Sequence, residues 1–214
     1  MVTRIYFVRH GESESNLIHQ FAGSLDKPLT DKGRCQASAT ASFLSDVPFA
    51  AVYASDLARA YETGKQIANL HSIPLISDVR LREIYAGEWE GKIYSDLEKE
   101  YPDSYGIWLS KIGLTRCPAG ESVASLQMRV NECINEIVRK HPGETVCVAT
   151  HATPIRVMEC VWSQTPLSQM HTIPWAGNAS VTIVEYNGDG KVQVLQRDLT
   201  DHLGGLKTVL AKNV

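Results

Sequence analysis

The chain has 214 residues, 43% of them apolar and 21% charged, with a formal net charge of −3. At roughly 150 residues per domain this is one domain with enough apolar surface for a real core, and neither a disordered chain nor a basic nucleic-acid binder fits it. No apolar run approaches the ~18 residues of a membrane span, so no membrane partner is expected.

Short apolar runs alternate with amphipathic helices, the pattern of a layered α/β domain. The first strand is expected at Thr3–Val8. Arg4 interrupts this apolar run and Arg9 closes it, so the N-terminal segment does not read as a signal peptide. Thr30 is placed to start a helix running to about Ser45. A second strand, Ala50–Ala54, leads to a helix capped by Ser55 or Asp56. Its inner face would carry Leu57, Ala60, Tyr61, Gly64, Ile67 and Ala68. A third strand follows at Leu75–Ser77, and Ser95 with Glu98 has the spacing of a capping box. Ser122 opens a long helix with Val123, Leu126, Val130, Ile134, Ile137 and Val138 inward, which Pro142-Gly143 stops. The fourth strand, Thr145–Ala149, precedes Pro154, which a first helical turn tolerates. The last two strands, Val181–Tyr186 and Lys191–Arg197, flank Asn187-Gly188-Asp189-Gly190. That hairpin signal makes at least one strand antiparallel. The expected fold is a three-layer α/β/α sandwich on a mostly parallel sheet of about six strands, with residues 1–214 as a single domain.

The five cysteines (35, 117, 133, 147 and 160) are odd in number and form no C-x-x-C pair. Free thiols in a reducing compartment suit that pattern better than a disulfide framework or a zinc site, so a cytoplasmic location is expected. Several catalytic signatures are missing. Gly-Lys occurs at 64–65, 91–92 and 190–191, never followed by Ser or Thr, so there is no Walker loop. One decoy matches: Cys133 and Arg139 have the C-x5-R spacing of a cysteine phosphatase. That chemistry needs a tight loop of backbone amides around a phosphate, whereas this segment has no glycine and lies inside a strong helical pattern.

Ligands of open α/β sheets bind beyond the carboxyl ends of the strands. After the first strand come Arg9-His10-Gly11-Glu12; after the second, Ser55 and then Arg59; after the fourth, Thr150-His151-Ala152. Each residue alone has an ordinary explanation: a strand-end histidine is usually a capping residue, Arg59 a surface arginine, Glu83 a solvated carboxylate. Together they bring two arginines and two histidines to one sheet edge. Guanidiniums packed that closely need an anion between them, and a dianionic phosphoryl group meets the need.

These residues also carry a family resemblance. Arg9-His10-Gly11-Glu12 resembles the R-H-G-E signature of the histidine phosphatase superfamily, the group that includes cofactor-dependent phosphoglycerate mutases. The match continues through Asp26–Gly33, Ser55–Ala60, Leu81–Ile84, Gly87–Gly91, Gly120–Ser122 and Thr150–Arg156, spanning roughly residues 3–186. The resemblance implies that His10 is the nucleophile and forms a phosphohistidine. It implies that Arg9, Arg59 and His151 hold the phosphoryl oxygens, with Asn16 and Ala152 assisting, and that Glu83 protonates the leaving oxygen and then activates water. Two arginines and a histidinium can supply the charge that magnesium supplies elsewhere, so no metal and no cofactor is expected. One departure stands out. His151 is followed by Ala152-Thr153 where many members have Gly-Gly, which leaves the local loop geometry open.

Hydrolase and mutase share the phosphohistidine and differ in the acceptor. A mutase using 2,3-bisphosphoglycerate needs extra cations for a carboxylate and a second phosphate. The segment between Gly91 and Gly120 has Lys92, Lys99, Lys111 and Arg116 but no paired arginines. This part of the chain is aromatic instead, with Tyr85 and Trp89 just before Gly91 and Tyr94, Tyr101, Tyr105 and Trp108 after it. Some would pin this excursion to the core; others would wall a lid-like insert, residues 85–118, over the site. A phosphatase acting on a small phosphorylated metabolite is the preferred reading and the mutase the alternative. Two further readings are weaker. A non-catalytic phospho-ligand module would require a broken site. A metal bound by His10, His151 and Glu83 would be repelled by the arginines. Sugar phosphates, phosphoglycerates, α-ribazole phosphate and phosphoprotein side chains all fit as substrates, and either a monomer or a homodimer is compatible.

Overall fold

The computed structural model describes residues 1–209. In chain order its elements are β1 (Val2–Arg9), α1 (Glu14–Leu17), α2 (Asp31–Phe43), β2 (Phe49–Ala54), α3 (Ala58–Leu70) and β3 (Leu75–Ser77). Then come α4 (Tyr94–Glu100), α5 (Pro102–Lys111), α6 (Val123–Lys140), β4 (Thr145–Thr150), α7 (Ala152–Trp162), β5 (Val181–Asn187) and β6 (Val192–Leu199). The six strands lie in the order β3-β2-β4-β1-β5-β6. β1, β2, β3 and β4 pair in parallel, and β5 runs antiparallel to both β1 and β6. The expected α/β architecture is therefore the one found.

Strand alternation builds two cores. Ile5 and Phe7 of β1, Ala51 and Tyr53 of β2, and Val146 and Val148 of β4 face the larger one with α5, α6 and α7. Val8, Val52 and Cys147, one residue out of phase, face α2 and α3 with Ala41, Leu44, Ile67 and Ala68. The period of two in the strands thus meets helices on both sides, which is why the central strands read as continuous apolar runs.

Several local expectations hold in detail. Thr30 and Ser122 cap α2 and α6, accepting hydrogen bonds from the backbone amides of Gly33 and Ser125. Cys133 is buried inside α6, where burial pushes its thiol up to about 12, and Arg139 is exposed. The C-x5-R spacing is a product of helix packing. All five cysteines are free.

Three expectations are corrected. The helix after β2 starts at Ala58, and its capping position is Leu57, not Ser55 or Asp56. Its first turn is capped from elsewhere in the chain, because the Ala58 amide donates to Asp26 at 2.7 Å. Tyr61 is 37% exposed, and Arg59 and Thr63 lie on the buried face instead. The Ser95–Glu98 capping box does not form: α4 begins at Tyr94, so Ser95 already lies within the first turn, and Ile93 occupies the capping position.

Candidate active site

The site is assembled where β1, β2 and β4 end side by side. The chain passes from β4 to β1's other neighbour, β5, so β1 sits at the point where connections diverge, the usual place for a ligand crevice. His10 follows β1 directly. Its amide donates to the Thr150 carbonyl at 3.0 Å. Its carbonyl accepts from the Ala179 amide at 3.1 Å and the Asn178 side chain at 3.2 Å. The backbone that carries the imidazole is therefore fixed on both sides.

The His10 ring is 4% exposed, and its Nδ1 stands 2.6 Å from the Gly11 carbonyl oxygen. A carbonyl can only accept, so Nδ1 holds the proton in the neutral ring and Nε2 keeps its lone pair. Burial, with Arg59 and Arg9 nearby, holds His10 well below the usual histidine range. The tautomer and the charge state are those of a nitrogen nucleophile.

Arg9 and Arg59 are each 1% exposed. Arg9 Nη1 donates to the Ala176 carbonyl at 2.5 Å. Arg59 donates through Nη1 to Leu25 and through Nη2 to Gly23, each at 2.8 Å. In both residues Nε is buried and unpartnered. Burial pulls the Arg59 guanidinium down to about 10, with Glu83 and Asp26 opposing the shift, so it remains cationic at neutral pH. Gly23 permits the carbonyl contact: it has φ +50, and a Cβ there would come within 2.8 Å of Ala86 and of Glu90.

His151 caps α7 from β4 and is fully buried. Its Nε2 is 2.9 Å from Ser55 Oγ, and its Nδ1 has no partner. Burial and Arg59 hold it well below the usual histidine range. Desolvation is the largest cause, with the Arg59 guanidinium next. The His151 ring meets the His10 ring edge to face, with centroids 5.1 Å apart.

Glu83 follows a 3-10 turn, Val79–Leu81. Its Oε1 accepts from the Ile84 amide at 2.7 Å and its Oε2 from the Thr153 amide at 3.2 Å. Asn16 turns its oxygen inward, where it accepts from the Ser13 amide, Ser13 Oγ and Asn178 Nδ2. Ala152 takes ordinary helical backbone at the start of α7, so the alanine in place of glycine distorts nothing there.

Arg9, His10, Asn16, Arg59, Glu83 and Ala152 all line one pocket with an open volume of about 50 Å³. That is room for a few waters. The positive end of α7 adds to the field of the arginines. Among the described residues there is no group of three His, Cys, Asp or Glu side chains that could hold a metal ion.

The sequence did not single out several contributors. Ser13 and Asn178 fix Asn16. Arg129 donates to the carbonyls of Arg80, Arg82 and Glu83 and pairs with Glu121, which holds the Glu83 loop in place. It lies on the polar flank of α6 and reads from spacing as a surface residue. Phe21 and Trp175 join Tyr94 and Trp108 as aromatic pocket walls. Of the aromatic segment, Trp89 and Tyr105 are fully buried in the core, while Tyr94 and Trp108 line the pocket.

Comparison with known proteins agrees with this geometry. Residues 5–199 match the family model of the histidine phosphatase superfamily (branch 1). The chain is 31% identical over 203 residues to phosphoserine phosphatase 1 of Hydrogenobacter thermophilus, covering 95% of both proteins. It is 37% identical over 155 residues to phosphoglycerate mutase-like protein 4 of Arabidopsis thaliana, covering 71% of this chain and 67% of that one. Among solved structures, Bacillus stearothermophilus YhfR superposes with a TM-score of 0.90 at 34% identity, covering 94% of this chain and 99% of that one.

Proposed function

We infer that the chain, which belongs to the histidine phosphatase superfamily, is a phosphatase that hydrolyses small phosphomonoesters through a phosphohistidine on His10 and without a metal ion. The observation that carries the mechanism is the Nδ1–Gly11 contact, which leaves Nε2 of a neutral, buried imidazole as the free base among two guanidiniums.

The phosphoryl group is held by Arg9, Arg59, Asn16 and the Ala152 amide, with His151 packed against His10. The Nε2 lone pair of His10 forms the N–P bond as the ester P–O bond breaks. The leaving oxygen takes a proton from Glu83 and departs as the alcohol. Water then attacks phosphorus, returns its proton to Glu83, and the N–P electrons return to His10. Phosphoryl transfer needs mainly positioning and charge stabilisation, and buried arginines supply both.

The hydrolytic reading over the mutase rests on where the extra cations lie. None of Lys92, Lys99, Lys111 and Arg116 lines the pocket. Lys92 is paired with Glu100, and Arg116 donates to the Gly120 carbonyl. Phosphoserine is the first substrate to try, given the named activity of the Hydrogenobacter relative. Free cysteines support a reducing, cytoplasmic setting; no helix among the described residues is long and apolar enough to cross a membrane. The test is phosphate release from p-nitrophenyl phosphate, phosphoserine and a panel of sugar phosphates in excess EDTA. Release by the wild type that vanishes in His10→Ala is expected. Undiminished release by His10→Ala would overturn the assignment.

A further inference from the structure

Once the phosphoryl group sits among Arg9, His10 and Arg59, the alcohol part of a substrate has to extend toward the aromatic walls of the catalytic pocket, Phe21, Tyr94, Trp108 and Trp175. A larger cavity of about 400 Å³ adjoins it, and the two share Trp108 and Trp175 as walls. The indoles stand 6.2 Å apart between centroids, tilted by 34°. Beyond them the cavity is lined by Leu109 and Ile112 of the segment after α4, and by Arg156 of α7.

Arg156 is an unusual residue to find there. It is 6% exposed. Its guanidinium lies over the Trp175 ring, 4.1 Å from the centroid. Nε donates to the Ile173 carbonyl at 2.7 Å, and Nη2 reaches the His171 carbonyl at 3.5 Å. It has no ion-pair partner among the described residues, and Glu159, three positions on in the same helix, is held by Arg197 at 2.9 Å. Burial lowers the guanidinium only to about 10, so it is charged at neutral pH. No carboxylate lines this cavity, whereas Arg156 and the exposed His171 do. Arg156 also borders a separate cavity lined by Glu159 and Asp198, but in the cavity next to the catalytic pocket no carboxylate faces it.

Resting on the phosphatase reading, we propose that this second cavity receives the substrate's leaving group, and that Arg156 selects phosphomonoesters whose alcohol has an apolar or aromatic body ending in a carboxylate. The body would lie along Trp108 and Trp175, and the carboxylate would complete the charge balance of Arg156. Arg156 is a specificity residue in this account and takes no part in breaking the P–O bond.

The test uses two esters of matched shape, 4-carboxyphenyl phosphate and 4-carbamoylphenyl phosphate, with the full chain. The wild type should favour the carboxylate in kcat/KM by about tenfold or more, the effect of one charge-assisted hydrogen bond. Arg156→Met should bring the ratio to about one. Because losing the Trp175 stack could loosen the fold, Leu109→Glu serves as a second variant. Leu109 is 42% exposed, and a carboxylate there should also erase or reverse the preference. A wild-type ratio near one, or a preference that survives in both variants, overturns the proposal. So does failure to turn over either ester while p-nitrophenyl phosphate is hydrolysed. If no phosphomonoester is hydrolysed at all, the phosphatase reading has failed, and the cavity is then judged by tryptophan fluorescence on adding 4-hydroxybenzoate or 4-hydroxybenzamide. Tighter binding of the acid that is lost in Arg156→Met upholds the site, and equal binding rejects it.

Discussion

The imidazoles of His10 and His151 meet edge to face, with centroids 5.1 Å apart and ring planes at 63°. Both are buried, and Arg59 depresses the protonation of both. Protonating either would place a third buried cation beside the two guanidiniums. In the unfolded chain these histidines take up protons below about pH 6.5, whereas burial and the guanidiniums push the same step to lower pH in the folded protein. Their contribution to stability is complete above that pH and is lost as the pH falls below it. Urea unfolding without phosphate should therefore show stability dropping by up to about 1.4 kcal/mol per pH unit for each histidine below pH 6.5. His10→Asn with His151→Asn should flatten that slope. A wild-type slope unaffected by the double substitution would show that neither ring is held neutral.

Two buried guanidiniums with unpartnered Nε atoms make the site a favourable one for an anion. Phosphate or orthovanadate should stabilise the protein, by about 2.7 kcal/mol at a hundredfold excess over the dissociation constant. Thermal unfolding with increasing orthovanadate reads this directly. Arg59→Ala should remove most of the shift and lower kcat/KM by about 10²–10³-fold. A shift of equal size in that variant would place the anion elsewhere.

Glu83 is anchored by the Ile84 and Thr153 amides at the start of α7. As the proton donor to the leaving oxygen, it should matter in proportion to how poor the leaving group is. Glu83→Gln should lower kcat by about 10²–10³-fold for phosphoserine and far less for p-nitrophenyl phosphate, whose phenolate leaves unaided. Equal losses for both esters in single-turnover measurements would assign Glu83 to binding or water activation alone.

Gly11 and Gly33 pack backbone to backbone. A Cβ on Gly33 would lie 2.0 Å from the Glu12 carbonyl oxygen, and one on Gly11 would lie 2.3 Å from that of Gly33. α2 thus presses on the strand-end turn that carries His10. Gly33→Ala should cost about 1–3 kcal/mol of stability and reduce turnover, although Gly33 does not line the pocket. Gly106→Ala is the control: a Cβ there meets nothing within 4 Å, so the helical substitution should be neutral or stabilising by about 0.5–1 kcal/mol. Denaturation midpoints of the two variants separate close contact from a general intolerance of alanine.

The strands and long helices were legible because burial imposes periods of two and 3.6 on their side chains, as Ile5 and Phe7 against Val8, or Val123 to Ile137 in α6, show. The central site was legible because its residues follow strand ends in the chain. What the sequence concealed depends on contacts between distant residues. Asp26 caps α3 from 32 positions away, while Ser55 meets both the Leu57 amide and His151. Arg129 fixes Glu83 from the side of α6. His151 has the right chemistry, but its charge is set by burial and by Arg59, which no spacing encodes. The Trp108–Trp175 pair joins two segments with no shared pattern.

The most direct test of the phosphohistidine on His10 is to trap it. Enzyme mixed with radiolabelled phosphoserine or another turned-over ester is quenched in alkali within the first turnover, digested and mapped. The account expects one acid-labile, base-stable phosphoryl group per chain on the peptide carrying His10, formed in EDTA and absent from His10→Ala. Hydrolysis at full rate with no label on His10, or label on another residue, would contradict it.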